Sequence, residues 1–250
     1  MLSNVLDRPA FGDSASSDNS MLSESSCLQV YSRTIKQARS SDWKISAQDK
    51  ETLQQCILKF SPPLDPNIPL PKASQCLDTV KKLLDIGIEN LRETDIPEKQ
   101  LESFRRCDEI IQSFYIPASS MLPTLKINDR IIVDKTAYQN SLPQRGDIII
   151  FSPTEKLKRE KFNDKFVKRI IGLPGERIAV KQGKVYINGK VIQESYITEP
   201  AQYEHQSTLI PKNSYFVLGD NRNNSYDSHY WGFVPRNLIF GKIIWQSTIK

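Results

Sequence analysis

The sequence predicts a mainly β domain in its C-terminal half, preceded by a small α-helical region. After Tyr115 the apolar residues fall in short runs separated by turn residues, which is typical of β-strands. Between about residue 46 and residue 114 they recur at helical spacing instead. A chain of 250 residues is long enough for one or two domains with a sizeable core.

Residues 1–45 are rich in serine and aspartate and poor in apolar side chains, so we expect this segment to be disordered. The helical region, 46–114, contains three amphipathic patterns. The first follows a candidate N-cap at Ser46, the second starts at Ser74 after the proline-rich segment 61–71, and the third follows Pro97. The interior of a small helical bundle explains these stripes, and a groove for a partner is the alternative. The stripes are Leu53, Cys56, Ile57 and Phe60; Leu77, Val80, Leu84, Ile88 and Leu91; and Leu101, Phe104 and Ile111, with Cys107 as a further candidate.

The third region, 115–250, contains four short β runs and a hairpin. Its segment 184–192 reads KVYINGKVI, and Asn188 and Gly189 between β-rich arms predict a type I′ turn. The charged segment 152–165 is predicted to be a solvated loop. The four β runs are 130–134, 147–151, 215–218 and 240–245.

Charge is unevenly distributed along the chain. Residues 1–114 carry 14 Lys/Arg and 17 Asp/Glu, whereas residues 115–250 carry 20 and 12, so the net charges are −3 and +8. A basic half indicates an anionic partner, such as membrane headgroups or nucleic acid, and a solvated basic face is an equal alternative.

The four cysteines all lie in the N-terminal part, and their spacing does not suggest a metal site. There is no CxxC pair and the chain has only two histidines, so we expect no metal. Several of the cysteines match apolar helix faces, which favours buried free thiols. The four are Cys27, Cys56, Cys76 and Cys107.

Ser120 is the candidate nucleophile, within the segment IPASSMLPTL at 116–125. Proline fixes its own φ and restricts the residue before it, so Ser120 is expected on a stiff, non-helical turn. A serine held rigidly beside apolar surface suits attack on a substrate. Taken alone, the segment is better explained by an ordinary proline- and serine-rich loop, and only the segments further along the chain favour a nucleophile.

Four segments together resemble the characteristic boxes of the type I signal peptidases. They are IPASSMLPTL (116–125), RGDIIIF (145–151), FVKRIIGLPGERI (166–178) and GDNRNNSYDSHYWGFVP (219–235), and their order and spacing make the resemblance specific. It covers roughly residues 115–250 and implies a signal-peptidase-like antiparallel β fold for this catalytic domain. Members of the family are membrane-associated serine proteases that remove signal (leader) peptides from secreted precursors after small residues, without a cofactor.

The resemblance assigns roles to individual residues. Ser120 becomes the nucleophile, Lys168 the general base, and Ser225 the residue that orients the lysine. Free lysine has a pKa of about 10.4. Activity near neutral pH therefore needs a Lys168 pKa roughly 2–3 units lower, which burial can supply. Structural ion-pair roles are implied for Asp220, Arg222 and Asp227, with Gly219 and Asn221 building the supporting turn. Substrate subsites are implied for Ile116, Met121, Leu125, Phe166 and Val167, and a plain core role is the alternative for Leu125 and Val167.

Two residues depart from the family pattern. His229 occupies a position that is usually arginine, two residues from Asp227, and we interpret it as a structural substitute. A Ser-His-Asp triad built on His229, or on the isolated His205, is therefore not favoured. Ala118 occupies a position where many relatives have a serine that helps bind the oxyanion, and losing such a donor can slow catalysis by about 10²–10³. Ser119 could compensate only if it pointed the same way as Ser120.

The resemblance implies a membrane-associated protein, although the sequence shows no transmembrane helix or signal peptide. The segment before the serine box, 95–114, carries eight charged residues, and the first 26 residues lack a basic start and an apolar core. Trp231 and Trp245 are candidates for contact with a membrane interface.

Two other functions remain to be weighed. An inactive paralogue that uses its β domain for binding is favoured by Ala118 and the missing anchor. A self-cleaving transcriptional repressor is disfavoured, because the chain has no Ala-Gly or Cys-Gly cleavage dipeptide and its N-terminal half is acidic. We therefore expect no nucleic acid partner.

Overall fold

The computed structural model describes residues 69–86 and 106–247. The predicted disordered segment 1–45 and the helix after Ser46 lie outside these residues, as does the start of the third helical stripe. The division of the chain at residues 45 and 114 therefore stays a prediction.

Short antiparallel strands make up most of the regular secondary structure of the described chain, which confirms the mainly β fold class. Eleven strands are present within the described residues: β1 (Ile111–Tyr115), β2 (Arg130–Asp134), β3 (Ile148–Phe151), β4 (Phe166–Gly172), β5 (Arg177–Lys181), β6 (Lys184–Ile187), β7 (Lys190–Val191), β8 (His205–Leu209), β9 (Ser214–Leu218), β10 (Val234–Pro235) and β11 (Ile239–Ser247). The helices with both ends in the described residues are α1 (Ala73–Ile86), α2 (Glu155–Arg159) and α3 (Ser228–Trp231), with 3₁₀ turns at Ser119–Met121 and Arg236–Leu238. Residues 106–108 are also helical.

The strands form two sheets. The larger sheet has seven strands in the order β1-β2-β11-β3-β4-β9-β10, and the smaller has four in the order β7-β6-β5-β8. Every residue of β4 is buried, because β4 lies between β3 and β9 and side chains from both of its faces pack into core clusters. A strand that is covered on both faces carries few polar residues, so a lysine in its middle is unusual. Lys168 is that residue, and it pairs with Ile149 of β3.

The hairpin prediction is confirmed. Asn188 and Gly189 have φ values of +49° and +80°, as a type I′ turn requires, and Ile187 pairs with Lys190 across it. The run 130–134 is confirmed as β2, and the other three β runs are confirmed with ends that differ by one or two residues. The second predicted helix is confirmed as α1, which begins at Ala73 next to the expected start at Ser74.

Two local predictions were wrong. Segment 152–165 is not wholly a solvated loop, because it contains α2, whose Leu157 is fully buried and whose first turn is capped by Thr154. Ile111 lies in β1 rather than on a helix, and Ile111 and Phe114, on opposite faces of this strand, are buried in two different core clusters.

The free-thiol prediction was also wrong for two of the four cysteines. Cys76 and Cys107 form a disulfide, with Cα atoms 5.3 Å apart. Both are buried, as expected, but α1 packs beside β1 and so brings them within bonding distance. Cys27 and Cys56 lie outside the described residues. No helix in the described ranges is long and apolar enough to cross a bilayer.

Candidate active site

Ser120 lies in the 3₁₀ turn between β1 and β2, and two asparagines hydrogen-bond to this turn. Its carbonyl oxygen accepts the backbone N–H of Asn221 at 3.2 Å. The Asn221 side-chain amide donates to the Ser119 carbonyl at 3.1 Å, and the Asn224 amide donates to the Ser119 hydroxyl at 3.2 Å. Ser120 itself is half-buried, so its hydroxyl is held in place without being sealed off.

Lys168 extends from β4 to this turn. Its Nζ lies 2.8 Å from Ser120 Oγ and donates a second hydrogen bond to the Val167 carbonyl at 3.0 Å. The residue is 4% exposed, and burial lowers the pKa of Lys168 to about 8, against the opposing influence of Asp227 and then Asp220, which raise it. About a tenth of such amines are uncharged at pH 7, far more than for a free lysine.

Ser225 does not make the hydrogen bond that the sequence predicted. Its Oγ is buried and has no hydrogen-bond partner among the described residues, since the Lys168 amine bonds to Ser120 and the Val167 carbonyl instead. Ser225 still belongs to the site, because Gly219 packs directly against both Ser225 Oγ and the Ser120 carbonyl. A Cβ at Gly219 would overlap both atoms.

Three buried pairs of side chains support the turn that begins at Gly219. Asp220 accepts from Arg169 at 2.8 and 2.6 Å, in a fork-to-fork geometry that gives strong, oriented bonds. Arg222, 2% exposed, makes the same kind of pair with Glu194 at 2.8 and 2.6 Å. The third pair joins His229 and Asp227.

Arg169 and Glu194 were missed by sequence reasoning. Arg169 directly follows Lys168 on β4, so its adjacency was the available signal. Glu194 lies 28 positions before Arg222 and outside the four boxes, and nothing local marks it.

A model of the family described as "Signal peptidase, peptidase S26" matches residues 106–247, which is more than half of the chain. The chain belongs to the signal peptidase S26 family. The resemblance stated from the sequence is thereby confirmed.

Several relatives carry the names of signal peptidases or related enzymes. The probable signal peptidase I-2 of Synechocystis is 55% identical over 133 residues, which cover 53% of this chain and 61% of that protein. The signal peptidase I of Leptolyngbya laminosa is 52% identical over 137 residues, covering 54% of this chain and 68% of that protein. The thylakoidal processing peptidase 1 of Arabidopsis thaliana is 40% identical over 136 residues, covering 52% and 40% respectively. The chain thus spans less than two thirds of the Synechocystis and Arabidopsis relatives.

The residues that the resemblance to signal peptidases implies as substrate subsites all lie in the interior of the protein. Ile116, Met121, Leu125 and Val167 share one core cluster, whereas Phe166 belongs to the neighbouring cluster with Trp231. All five are less than 9% exposed, so each at least stabilises the fold. Their role as subsites stays a prediction.

The surroundings of Ala118 and of the two tryptophans that were candidates for membrane contact are well defined. Ala118 is extended and directly precedes the 3₁₀ turn. Ser119, the suggested compensating residue, is already engaged by Asn224. Trp231 is buried against Phe151, with ring centroids 5.8 Å apart, so the expectation that it faces a membrane was wrong. Trp245 is half-buried beside the Cys76 disulfide.

No group of three or more His, Cys, Asp or Glu residues that could hold a metal occurs within the described part of the chain.

Proposed function

We propose that this chain is a serine endopeptidase that removes N-terminal signal peptides from precursor proteins after small residues, with Ser120 as nucleophile and Lys168 as general base. One observation carries the proposal: Lys168 Nζ is buried and lies 2.8 Å from Ser120 Oγ. Membership of the signal peptidase family supports the reaction type, and names such as signal peptidase I among the relatives support the substrate class.

The chemistry is a two-step acyl transfer. The uncharged Lys168 amine takes the Ser120 proton as Oγ attacks the carbonyl carbon of the scissile bond, giving a tetrahedral intermediate. The resulting ammonium then protonates the leaving amine, the C–N bond breaks, and the signal peptide remains as an ester on Ser120. Lys168 next deprotonates a water molecule that attacks the ester, and its proton returns to Ser120 when the peptide leaves.

Lys168 can act as a base because its position in the buried strand β4 keeps its amine away from bulk water. An exposed lysine is almost entirely protonated at pH 7, and its proton blocks the transfer from serine. Burial raises the free energy of the ammonium form and so increases the reactive fraction. In the proposed site, Asp220 and Asp227 limit this effect, since each favours the charged form.

Selectivity for small residues is proposed to come from the apolar surface next to the turn. Met121 and Leu125 follow Ser120 closely and pack against Val167, which precedes Lys168. Side chains that are already packed leave space only for a small group, such as a methyl, beside the scissile bond.

A membrane surface is the proposed place of action. Signal peptides are apolar, the C-terminal half carries the chain's excess of basic residues, and one relative is named as a thylakoidal peptidase. Flotation of the purified chain with anionic and with zwitterionic vesicles tests this. Retention by anionic vesicles alone supports a charge-based attraction, and failure to float with either contradicts it.

The cleavage activity is tested with a purified precursor whose leader ends in Ala-X-Ala. We expect the wild type to cut once after the last alanine, as shown by mass spectrometry of both products. Ser120→Ala and Lys168→Met should each abolish the cut. The matched controls, Ser141→Ala and Lys158→Met, change exposed residues and should leave it intact.

Ala118 favours a second function, a paralogue that binds leaders without cleaving them. The same experiment separates the two. Retention of the precursor by the wild type with no cleavage at any pH between 7 and 10 would support the binding protein and reject the peptidase.

A further inference from the structure

His229 makes a close contact with an acidic residue of the site. Its Nδ1 lies 2.6 Å from Asp227 Oδ1, and its backbone N–H donates to the same oxygen at 3.3 Å. The two side chains are 8% and 0% exposed. In a medium with little water, the charge on one of these residues strongly affects the groups around it.

Asp227 connects this pair to the candidate catalytic groups. Its second oxygen, Oδ2, accepts the Gly219 backbone N–H at 3.0 Å, and Gly219 packs against the Ser120 carbonyl and Ser225 Oγ. The negative charge of Asp227 is also the largest influence that raises the pKa of Lys168. The charge that remains on Asp227 therefore acts on the proposed base.

The other groups that face His229 carry little opposing charge. Its ring stacks on Tyr203 at 3.8 Å with an interplanar angle of 8°, and Tyr230 lies at 3.9 Å on its own helix. Burial raises the pKa of Tyr203, which keeps that phenol neutral. Burial, followed by the nearby His229, lowers the pKa of His205.

Two further charges lie beyond Tyr203. They belong to Arg222 and Glu194, which pair with each other at 2.6 Å and so largely cancel. Asp227 is thus the charged group that His229 contacts directly.

We propose that His229 is a positioning residue whose charge state, acting through Asp227, adjusts the proton affinity of Lys168 and makes the site respond to pH. As an imidazolium it neutralises Asp227, and as a neutral imidazole it leaves the carboxylate charge acting on Lys168. Arginine, which the family pattern has here, cannot lose its proton in this way. Histidine is the side chain that ordinarily changes charge near neutral pH.

The consequence has a definite sign. When His229 is neutral, Asp227 favours the ammonium form of Lys168, and the uncharged fraction of Lys168 is smaller. A permanent cation at position 229 removes this effect. We expect His229→Arg to lower the pKa of Lys168 by about 0.5, which is about a threefold larger uncharged fraction at pH 7.

NMR titration of lysine labelled with ¹³C at Cε tests the proposal directly, with the Lys168 signal assigned by its loss in Lys168→Met. We expect the Lys168 pKa of His229→Gln to match the wild type and that of His229→Arg to be lower. His205→Gln, which changes the other histidine of the chain, should have the same Lys168 pKa as the wild type. Thermal unfolding of each variant checks that it is folded.

Two results would overturn the inference. In one, all variants share a single Lys168 pKa, so that residue 229 has no influence. In the other, the wild type has the same Lys168 pKa as His229→Arg, so that His229 stays charged and cannot respond to pH. The inference rests on the proposed function for its meaning, yet the titration needs no substrate. If the wild type does not cleave the precursor but His229→Arg still lowers the Lys168 pKa, the peptidase function is rejected and the influence of residue 229 on Lys168 is kept.

Discussion

Lys168 Nζ and Ser120 Oγ lie 2.8 Å apart although the two residues are 48 positions apart in the chain. β4 fixes the lysine in the middle of the larger sheet, and the turn after β1 fixes the serine. The pairing of β4 with β9 matters as well, because β9 leads directly into the turn at Gly219 that holds the Ser120 backbone. The contact therefore depends on three segments and not on either residue alone.

Burial of Lys168 should reduce the stability of the protein. Its pKa of about 8 lies below the ordinary value of 10.5, so the folded state binds fewer protons than the unfolded state between these pH values. Stability from this group therefore rises with pH across that window, and the full penalty, about 3 kcal/mol, is present below it. We expect Lys168→Met to raise the free energy of unfolding by up to this amount at pH 7. Urea unfolding at pH 7 and at pH 10 checks it, with Lys158→Met as control, and an equal gain at both pH values contradicts it.

The oxyanion site should improve when a hydroxyl is restored. Ala118 stands where many members of the family have a serine, and one donor in such a site can contribute about 10²–10³ in rate. We expect Ala118→Ser to raise kcat by at least about tenfold with little change in KM, because the added bond forms in the transition state. Single-turnover cleavage measures the chemical step. A rise in binding with no change in kcat would assign position 118 to the substrate instead.

Asp220 should be essential for stability. Removing its charge leaves Arg169 buried without its carboxylate partner, which typically costs about 3–5 kcal/mol. We expect Asp220→Asn to reduce the free energy of unfolding by this amount and therefore to lower the urea concentration at the unfolding midpoint. Glu155→Gln breaks an exposed pair with Lys158 and should leave the midpoint unchanged. Equal midpoints for all three proteins would show that the Asp220 pair contributes nothing to folding.

Gly219 should tolerate no side chain. A Cβ there overlaps Ser225 Oγ and the Ser120 carbonyl, so Gly219→Ala must displace the serine turn. We expect kcat/KM to fall about 10²-fold, since small misplacements of reacting groups are costly. The control is Gly189→Ala, at a hairpin where the added methyl meets no atom within 4 Å. It can reduce stability through its positive φ but should leave kcat/KM unchanged, and an equal loss for both variants would point to general destabilisation.

The parts of the fold set by local sequence could be predicted. The alternating and apolar runs identified β2 and the Asn188 hairpin, because strand and turn preferences act over a few residues. β1 was missed because Ile111 fits a helical stripe and the segment IQSFY does not alternate between apolar and polar residues. In such a case tertiary pairing, here with β2, decides the outcome.

Partners that lie far apart in the chain could not be predicted in the same way. Motif spacing identified Ser120 and Lys168. The pairing of Arg222 with Glu194 could not be predicted, because it depends on where the fold places segment 194–204 relative to the turn at Gly219. The disulfide likewise required α1 to pack beside β1. Ser225 packs against Gly219 without the expected hydrogen bond to Lys168, since motif similarity does not specify the direction of a hydroxyl.

The pH dependence of kcat/KM for leader cleavage tests the proposed role of Lys168 most directly. If the uncharged amine is the base, kcat/KM should rise with pH and level off above an acid limb near the Lys168 pKa of about 8. Lys168→Met should show no cleavage across the range. An acid limb near 6.5, the ordinary value for histidine, or cleavage that survives Lys168→Met would contradict the proposal.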